Sequence, residues 1–399
     1  MSSNTASPVW SPVIQPAGRL SQVNEYYFSQ KLREIAQMKA QGASILNLGI
    51  GSPDLPPDES TLQVLVEHCR DTSSHAYQSY NGIPELRQAF ARWYQRWFGV
   101  SLNPDREVLP LIGSKEGIMH IAMTYLEPGD EALAPNPGYP TYRSAMLLTG
   151  ATVKSYNLEA RNGWLPDLDA LARQDLSRVK LMWLNYPHMP TGAVASRSFF
   201  EELVAFARQH GILLCNDNPY GFIMNDRLLS LLSIDGAMDV ALELNSLSKS
   251  HNMAGWRVGM LAGSAHYLSE VLRFKSNMDS GMFKPLQLAA AHALDAPDEW
   301  YTSLNKVYAQ RRAAATALLE LLGCECAPGQ VGMFLWAAVP PDFSDGYALS
   351  DELLHRNHVF ITPGGIFGSQ GDPYVRLSLC SSVELFEEAV RRIKDNRKS

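Results

Sequence analysis

Lys249 lies in the run SLSKSHNMAGWRVG, residues 246–259, directly after the strand-like VALELN. Ser246 and Ser248 flank it, and Arg257 and Gly259 follow. A solvated loop with an incidental lysine is the plain reading of any single lysine in such a place. The spacing argues for more, because a nucleophilic lysine needs a neighbouring anion site, and two hydroxyls with a guanidinium supply one of phosphate size.

A lysine beside a phosphate site is what pyridoxal phosphate requires, and that cofactor makes further demands on the same chain. In LIGSKEG, residues 111–117, a strand passes through Gly113 and Ser114 into a helical KEGIMHIAMTYL, so that backbone N–H groups at a helix start face an anion. In CNDNPYGF, Asp217 follows a buried strand and Tyr220 comes three residues later. A carboxylate there is often only a cap or turn former. Beside a pyridoxal lysine it holds the ring nitrogen protonated, which makes the ring an electron sink. Tyr139 in NPGYPTY is a candidate for one ring face, although tyrosines in Pro-rich turns also serve as packing. Arg376, in the apolar PYVRLSLC, needs an anion, either a structural carboxylate or that of a ligand.

Positioning these groups calls for strands that end together. Apolar runs at 107–112, 131–134, 179–185, 211–216, 239–244 and 258–262 read as strands, and amphipathic stretches such as 198–209 and 265–277 read as helices. The alternation predicts an α/β fold with a mostly parallel sheet and its site at the carboxyl ends of the strands. In PELRQAFARWYQRWF, Leu86, Phe90, Trp93, Tyr94 and Trp97 share one helical face behind Pro84, a stripe expected to be core. After a helix at about 299–321, short strands at 333–338, 358–361 and 374–379 mix with helices at 349–356 and 383–394, which predicts a smaller α+β domain.

The chain has 399 residues, 46% hydrophobic and 19% charged, enough for two or three domains with a full core. Its net charge of −7 argues against a nucleic-acid partner. Five scattered cysteines, Cys69, Cys215, Cys324, Cys326 and Cys380, show no metal spacing and read as reduced thiols of a cytoplasmic protein. No signal peptide and no run of eighteen apolar residues is seen, so no membrane association is expected. The Ser- and Pro-rich residues 1–20 read as an arm.

Taken together, these motifs resemble the class I/II aminotransferases, fold-type-I pyridoxal-phosphate enzymes typified by aspartate aminotransferase, from LNLGIGSPDLPPD near residue 46 to YVRLSL at 374–379. The resemblance implies a large cofactor-binding domain, 61–299, with a seven-stranded sheet, and a small domain from 21–60 and 300–399. It implies that Lys249 carries the cofactor and moves the proton, that Ser246, Arg257, Gly113, Ser114 and Lys115 hold the phosphate, and that Asp217 and Tyr220 hold the ring nitrogen and the ring oxygen. Tyr139 would stack on the ring, Arg376 would take the substrate carboxylate, and Gly51 and Asn185 would lie at the substrate. Tyr77, in YQSYNGIPELR, would reach the phosphate of a second subunit, which implies a homodimer with shared sites. One departure stands out: the family usually has Asn-Pro-Thr-Gly where this chain has HMPTG, so Met189 replaces an amide that bonds the ring oxygen, with Asn185 and His188 as alternative donors. The expected reaction is transfer of an α-amino group between an amino acid and a 2-oxo acid. A β-eliminating carbon–sulfur lyase and a non-catalytic cofactor-binding sensor remain as alternatives.

Overall fold

The computed structural model describes residues 14–23, 25 and 27–397. Residues 1–13 of the expected arm lie outside them. Thirteen strands run in chain order: β1 Leu46–Asn47, β2 Val108–Leu111, β3 Glu131–Asn136, β4 Thr152–Asn157, β5 Val179–Leu184, β6 Leu213–Asp217, β7 Ala241–Ser246, β8 Gly259–Gly263, β9 Glu325–Cys326, β10 Phe334–Ala338, β11 Val359–Phe360, β12 Thr362–Pro363 and β13 Tyr374–Ser378.

Seven of them form one sheet in the order β2-β8-β7-β6-β5-β3-β4. The pairs from β7 through β4 are parallel, and β8 runs antiparallel to both β7 and β2. The sheet is therefore mixed, with a parallel majority. Six of its strands fall where apolar runs predicted them. The seventh, β4, went unread because its sequence, TVKSYN, is an exposed edge with only Tyr156 buried, and an edge strand needs no apolar run. Parallel strands β5, β6 and β7 end side by side, bringing Asn185, Asp217 and Ser246 to one rim of the sheet.

Helices cover both faces. The helix Pro84–Phe98 begins on Pro84 and stops at Gly99, whose φ of 67° is the left-handed value that glycine adopts without penalty. Leu86, Phe90, Trp93 and Tyr94 are buried as the stripe predicted, and the Trp93 indole donates to the Tyr301 hydroxyl at 2.9 Å. Trp97 is only partly buried, at the margin of this core, packed edge-on against Phe222 and Tyr301.

A second sheet, in the order β12-β13-β10-β9, is antiparallel and holds Arg376 on its central strand β13, opposite Trp336 and Thr362. β1 pairs in parallel with β11, Leu46 against Val359, and so draws the turn at residues 49–54 onto this sheet. Arg311 holds the turn from below through two hydrogen bonds to the Asp54 carboxylate, at 2.7 and 2.8 Å. All five cysteines are free. Among the described residues no helix is long and apolar enough to cross a membrane.

Candidate active site

One cavity of about 480 Å3 gathers side chains from both sheets, and it is lined by Lys249, Arg257, Asp217, Tyr220, Tyr139 and Arg376 together with Gly51, Ser114, Lys115, Asn185 and Ser246. Two sequence-derived candidates stand apart. Gly113 acts behind the lining, as described below. Tyr77 is 93% exposed and contributes nothing to this chain's own cavity.

Lys249 occupies a single turn of helix that starts at the end of β7, capped by the Ser246 hydroxyl, which accepts from the Ser248 N–H at 3.1 Å. Its Nζ donates to the Gly51 carbonyl oxygen at 2.7 Å, so the ammonium is held across from the turn at residues 49–54. Burial lowers the Lys249 pKa to about 8, and Arg376 and Arg257 act in the same direction. A lysine shifted that far supplies neutral amine near neutral pH, as a nucleophile requires.

Arg257 has φ 59°, an unusual backbone state for an arginine, and donates to the Ala254 carbonyl at 2.9 Å and to Ser248 Oγ at 3.4 Å. Gly113, with φ 81°, precedes the helix Ser114–Tyr125, and a Cβ on it would collide with the Arg257 guanidinium. Gly259 presses its Cα side against the Ser114 N–H in the same way. The two glycines thus leave a helix N-terminus, an arginine and the Ser246–Ser248 hydroxyl pair around one opening, a set of donors suited to a phosphate. Burial and the nearby Arg257 lower the pKa of Lys115 on the same rim. The helix is tied down elsewhere by Glu116, His120 and Asp279, whose ligand atoms lie within 4.8 Å of one another, but Lys275 already bonds Asp279 and the cluster is outside the cavity.

Asp217 is 5% exposed. Its Oδ2 accepts from the Tyr142 hydroxyl at 2.9 Å, and its Oδ1 is buried with no hydrogen-bond partner. Burial pushes the carboxyl up to about 7, the Tyr142 bond opposes that rise, and the buried Glu243 adds to it. An acceptor left open in so dry a place calls for a protonated ring nitrogen. The orphaned Oδ1 and the glycine-lined anion cradle therefore fit pyridoxal phosphate. Tyr142 is one of the residues that sequence reasoning missed. It sits three residues beyond Tyr139 on the first turn of the helix Pro140–Thr149, stacked on Trp183 at 5.1 Å, and only the helical spacing from Tyr139 hinted at it.

Arg376 is buried beneath the opposite wall. Its guanidinium donates to the Gly49 carbonyl at 2.9 Å, meets the Met189 sulfur at 3.3 Å, and lies 4.0 Å from the Phe334 ring centroid and 4.8 Å from that of Phe367. A substrate carboxylate reaching this buried guanidinium from the cavity would make a strong, charge-assisted partner. Asn185 is committed to the backbone at both ends of its amide: Nδ2 donates to the Asp217 carbonyl and Oδ1 accepts from the Met189 N–H. His188 does not line the cavity and pairs with Thr191 Oγ1 at 2.8 Å. Phe28, Leu32, Ile50, Phe334 and Phe367 complete the wall, and no local signal marked them, since they come from segments hundreds of residues apart.

Residues 43–393 match the family Aminotransferase class I and II. The LL-diaminopimelate aminotransferase of Dehalococcoides mccartyi strain BAV1 is 42% identical over 96% of this chain and 98% of that protein. That of Moorella thermoacetica is 40% identical over 96% and 98%. Among solved structures, apo-BacF from Bacillus subtilis superposes with a TM-score of 0.92 at 38% identity, covering 96% of this chain and 98% of that one.

Proposed function

The chain belongs to the class I and II aminotransferases, and on that premise we propose which residues of this pyridoxal-phosphate-dependent enzyme do its work and which amino acids it takes. The reaction moves an α-amino group between an amino acid and a 2-oxo acid. The lyase and sensor alternatives find no support among relatives that are named aminotransferases over nearly their whole length.

When bound, the cofactor supplies an electrophilic carbon and an electron sink. Ser246, Arg257, Ser114 and the N-terminus of the helix beginning there hold its phosphate, with Gly113 leaving the room and Lys115 at the rim. Asp217, oriented by Tyr142, takes the ring nitrogen through its open Oδ1. Tyr220 bonds the ring oxygen and Tyr139 covers a ring face. Lys249 attaches the cofactor and then carries the Cα proton. Arg376 binds the α-carboxylate beside Gly51 and Asn185, which favours loss of the proton over loss of the carboxylate. The observation that carries this reading is the meeting, in one cavity, of a lysine with a lowered pKa, an anion cradle and a buried carboxylate with one free oxygen.

Phe28, Leu32, Ile50 and Phe367 make an apolar part of the lining, and Asp217 is the one carboxylate in it among the described residues. We assign amino donors with neutral aliphatic or aromatic side chains. A second reading, LL-diaminopimelate as donor, is favoured by the named relatives at about 40% identity. Mixing the holoenzyme with single amino acids and following the loss of the cofactor's visible band decides between them: rapid conversion by phenylalanine or leucine supports the first, and conversion by LL-diaminopimelate alone supports the second.

We further propose a homodimer with shared sites. Exposed Tyr77, Tyr80, Met278 and Phe283 lie around the bridge between Gln78 and Gly281, an apolar patch of the kind a second copy covers. Residues 61–299 form the cofactor domain and residues 21–60 with 300–399 the small domain in this reading, and five free thiols favour a cytoplasmic setting.

A further inference from the structure

Behind the cavity lies a buried carboxylate that none of these roles uses. Glu243 is fully buried on β7 and stands in register with Asn216 of β6. Asn216 and Asp217 are consecutive strand residues, so they face opposite sides of the sheet, and the Glu243 carboxylate lies on the Asn216 side, away from the cavity.

Each of its oxygens takes two donors. Oε1 accepts from the Tyr94 hydroxyl at 3.0 Å and the Ser230 hydroxyl at 2.7 Å, and Oε2 accepts from Asn216 Nδ2 and the Leu231 N–H, both at 2.9 Å. The amide orientation is fixed, because Asn216 Oδ1 accepts from the Tyr186 N–H at 3.1 Å. The two hydroxyls are themselves acceptors, Ser230 from the Leu232 N–H and Tyr94 from Asn245 Nδ2. Their protons are thereby left for Glu243. The whole arrangement is that of an ionised carboxylate, and among the described residues no ion pair neutralises it. Burial raises the pKa of this carboxyl, and the four donors oppose the rise.

We propose that Glu243 is a positioning residue for transamination: an anion that ties the ends of β5, β6 and β7 together behind the cavity and strengthens, by its charge, the hold of Asp217 on the ring-nitrogen proton. The proposal rests on the role assigned above to Asp217. The groups acting on Asp217 are Tyr142 and Tyr139 from the helix Pro140–Thr149 and its cap, Tyr220 from the loop after β6 and Glu243 from β7, and the cavity that Asp217 lines also holds the cations Lys249, Arg257 and Arg376. Glu243 is the sole anion among them, and its charge opposes theirs.

The test is the 15N chemical shift of the ring nitrogen in holoenzyme loaded with 15N-labelled cofactor, followed against pH. In the native protein the nitrogen is expected to stay protonated through neutrality. In Glu243→Gln the midpoint for losing that proton should fall by about one pH unit, with kcat down about tenfold and KM little changed. The double variant Glu243→Gln with Asn216→Asp returns a negative charge to the network and should recover most of the shift. An unmoved midpoint in Glu243→Gln, or a double variant as shifted as the single one, overturns the proposal. If Glu243→Gln yields no soluble protein, the double variant Tyr94→Phe with Ser230→Ala strips Oε1 of both its donors and leaves it to take up a proton, so that the charge is lost and the midpoint should move the same way; no movement overturns it equally. A native ring nitrogen that carries no proton defeats the Asp217 reading itself, a result distinct from all of these.

Discussion

At the scale of single residues, Asp217 couples the chemistry to stability. Its carboxyl is raised from 3.8 to about 7 in the folded protein without cofactor, so the native state binds more protons than the unfolded state between those values. Apoenzyme stability should therefore fall as pH rises from about 4 to 7, and Asp217→Asn should flatten that dependence in thermal melts recorded across the window. The same substitution should reduce turnover about a hundredfold or more, because the ring nitrogen loses its anion. Met189 tests the departure from the family pattern. With Asn185 committed to backbone groups, Met189→Asn introduces an amide donor to the cavity, which should draw charge from the cofactor's ring oxygen and lower the titration midpoint of the visible band. An unmoved midpoint would mean that another donor already serves that oxygen. Lys249, Asp217, Arg257 and Arg376 were legible in the sequence because their chemistry is costly to place without a use. Tyr142 and the Phe28 and Phe367 walls were not, since a phenol or a phenyl ring is ordinary core material until the fold shows what it touches.

At the scale of elements, the anion cradle depends on backbone rather than on side chains. Gly113 combines φ 81° with a position where any Cβ meets the Arg257 guanidinium. Gly113→Ala carries a left-handed penalty of about 1–2 kcal/mol and displaces the arginine. That penalty bears on folding with or without cofactor, whereas the displaced guanidinium withdraws a charge-assisted bond from the phosphate, so cofactor affinity should fall at least about tenfold while the circular dichroism stays native; affinity within twofold of native would show that the cradle is not the phosphate site. Strands ending at Leu184, Asp217 and Ser246 could be read from their apolar runs, and so could the rim they form. The exposed edge strand β4 could not, nor could the reversed direction of β8, because direction depends on pairing with β7 and β2, and pairing is a long-range choice.

At the scale of the whole molecule, the exposed Tyr77 makes the dimer testable by complementation. Mixing Tyr77→Phe chains with Lys249→Ala chains puts both lesions in one site of each heterodimer and leaves the other intact, so activity should return in part if Tyr77 serves the opposite subunit; confirmed heterodimers without recovery would contradict the shared site. The two sheets meet at the cavity because β1 pairs with β11 and carries the turn at residues 49–54 to Lys249 and Arg376, a contact spanning hundreds of residues that no local pattern reveals. Lys249 is the proposed attachment point, and the cavity contains a second lysine with a lowered pKa, Lys115, as a real competitor. Reducing the holoenzyme with borohydride fixes the cofactor to its lysine, and peptide mass mapping then locates it. The phosphopyridoxyl group is expected on the peptide containing Lys249 and nowhere else in stoichiometric amount; finding it on Lys115, or on no lysine of the chain, would contradict the account.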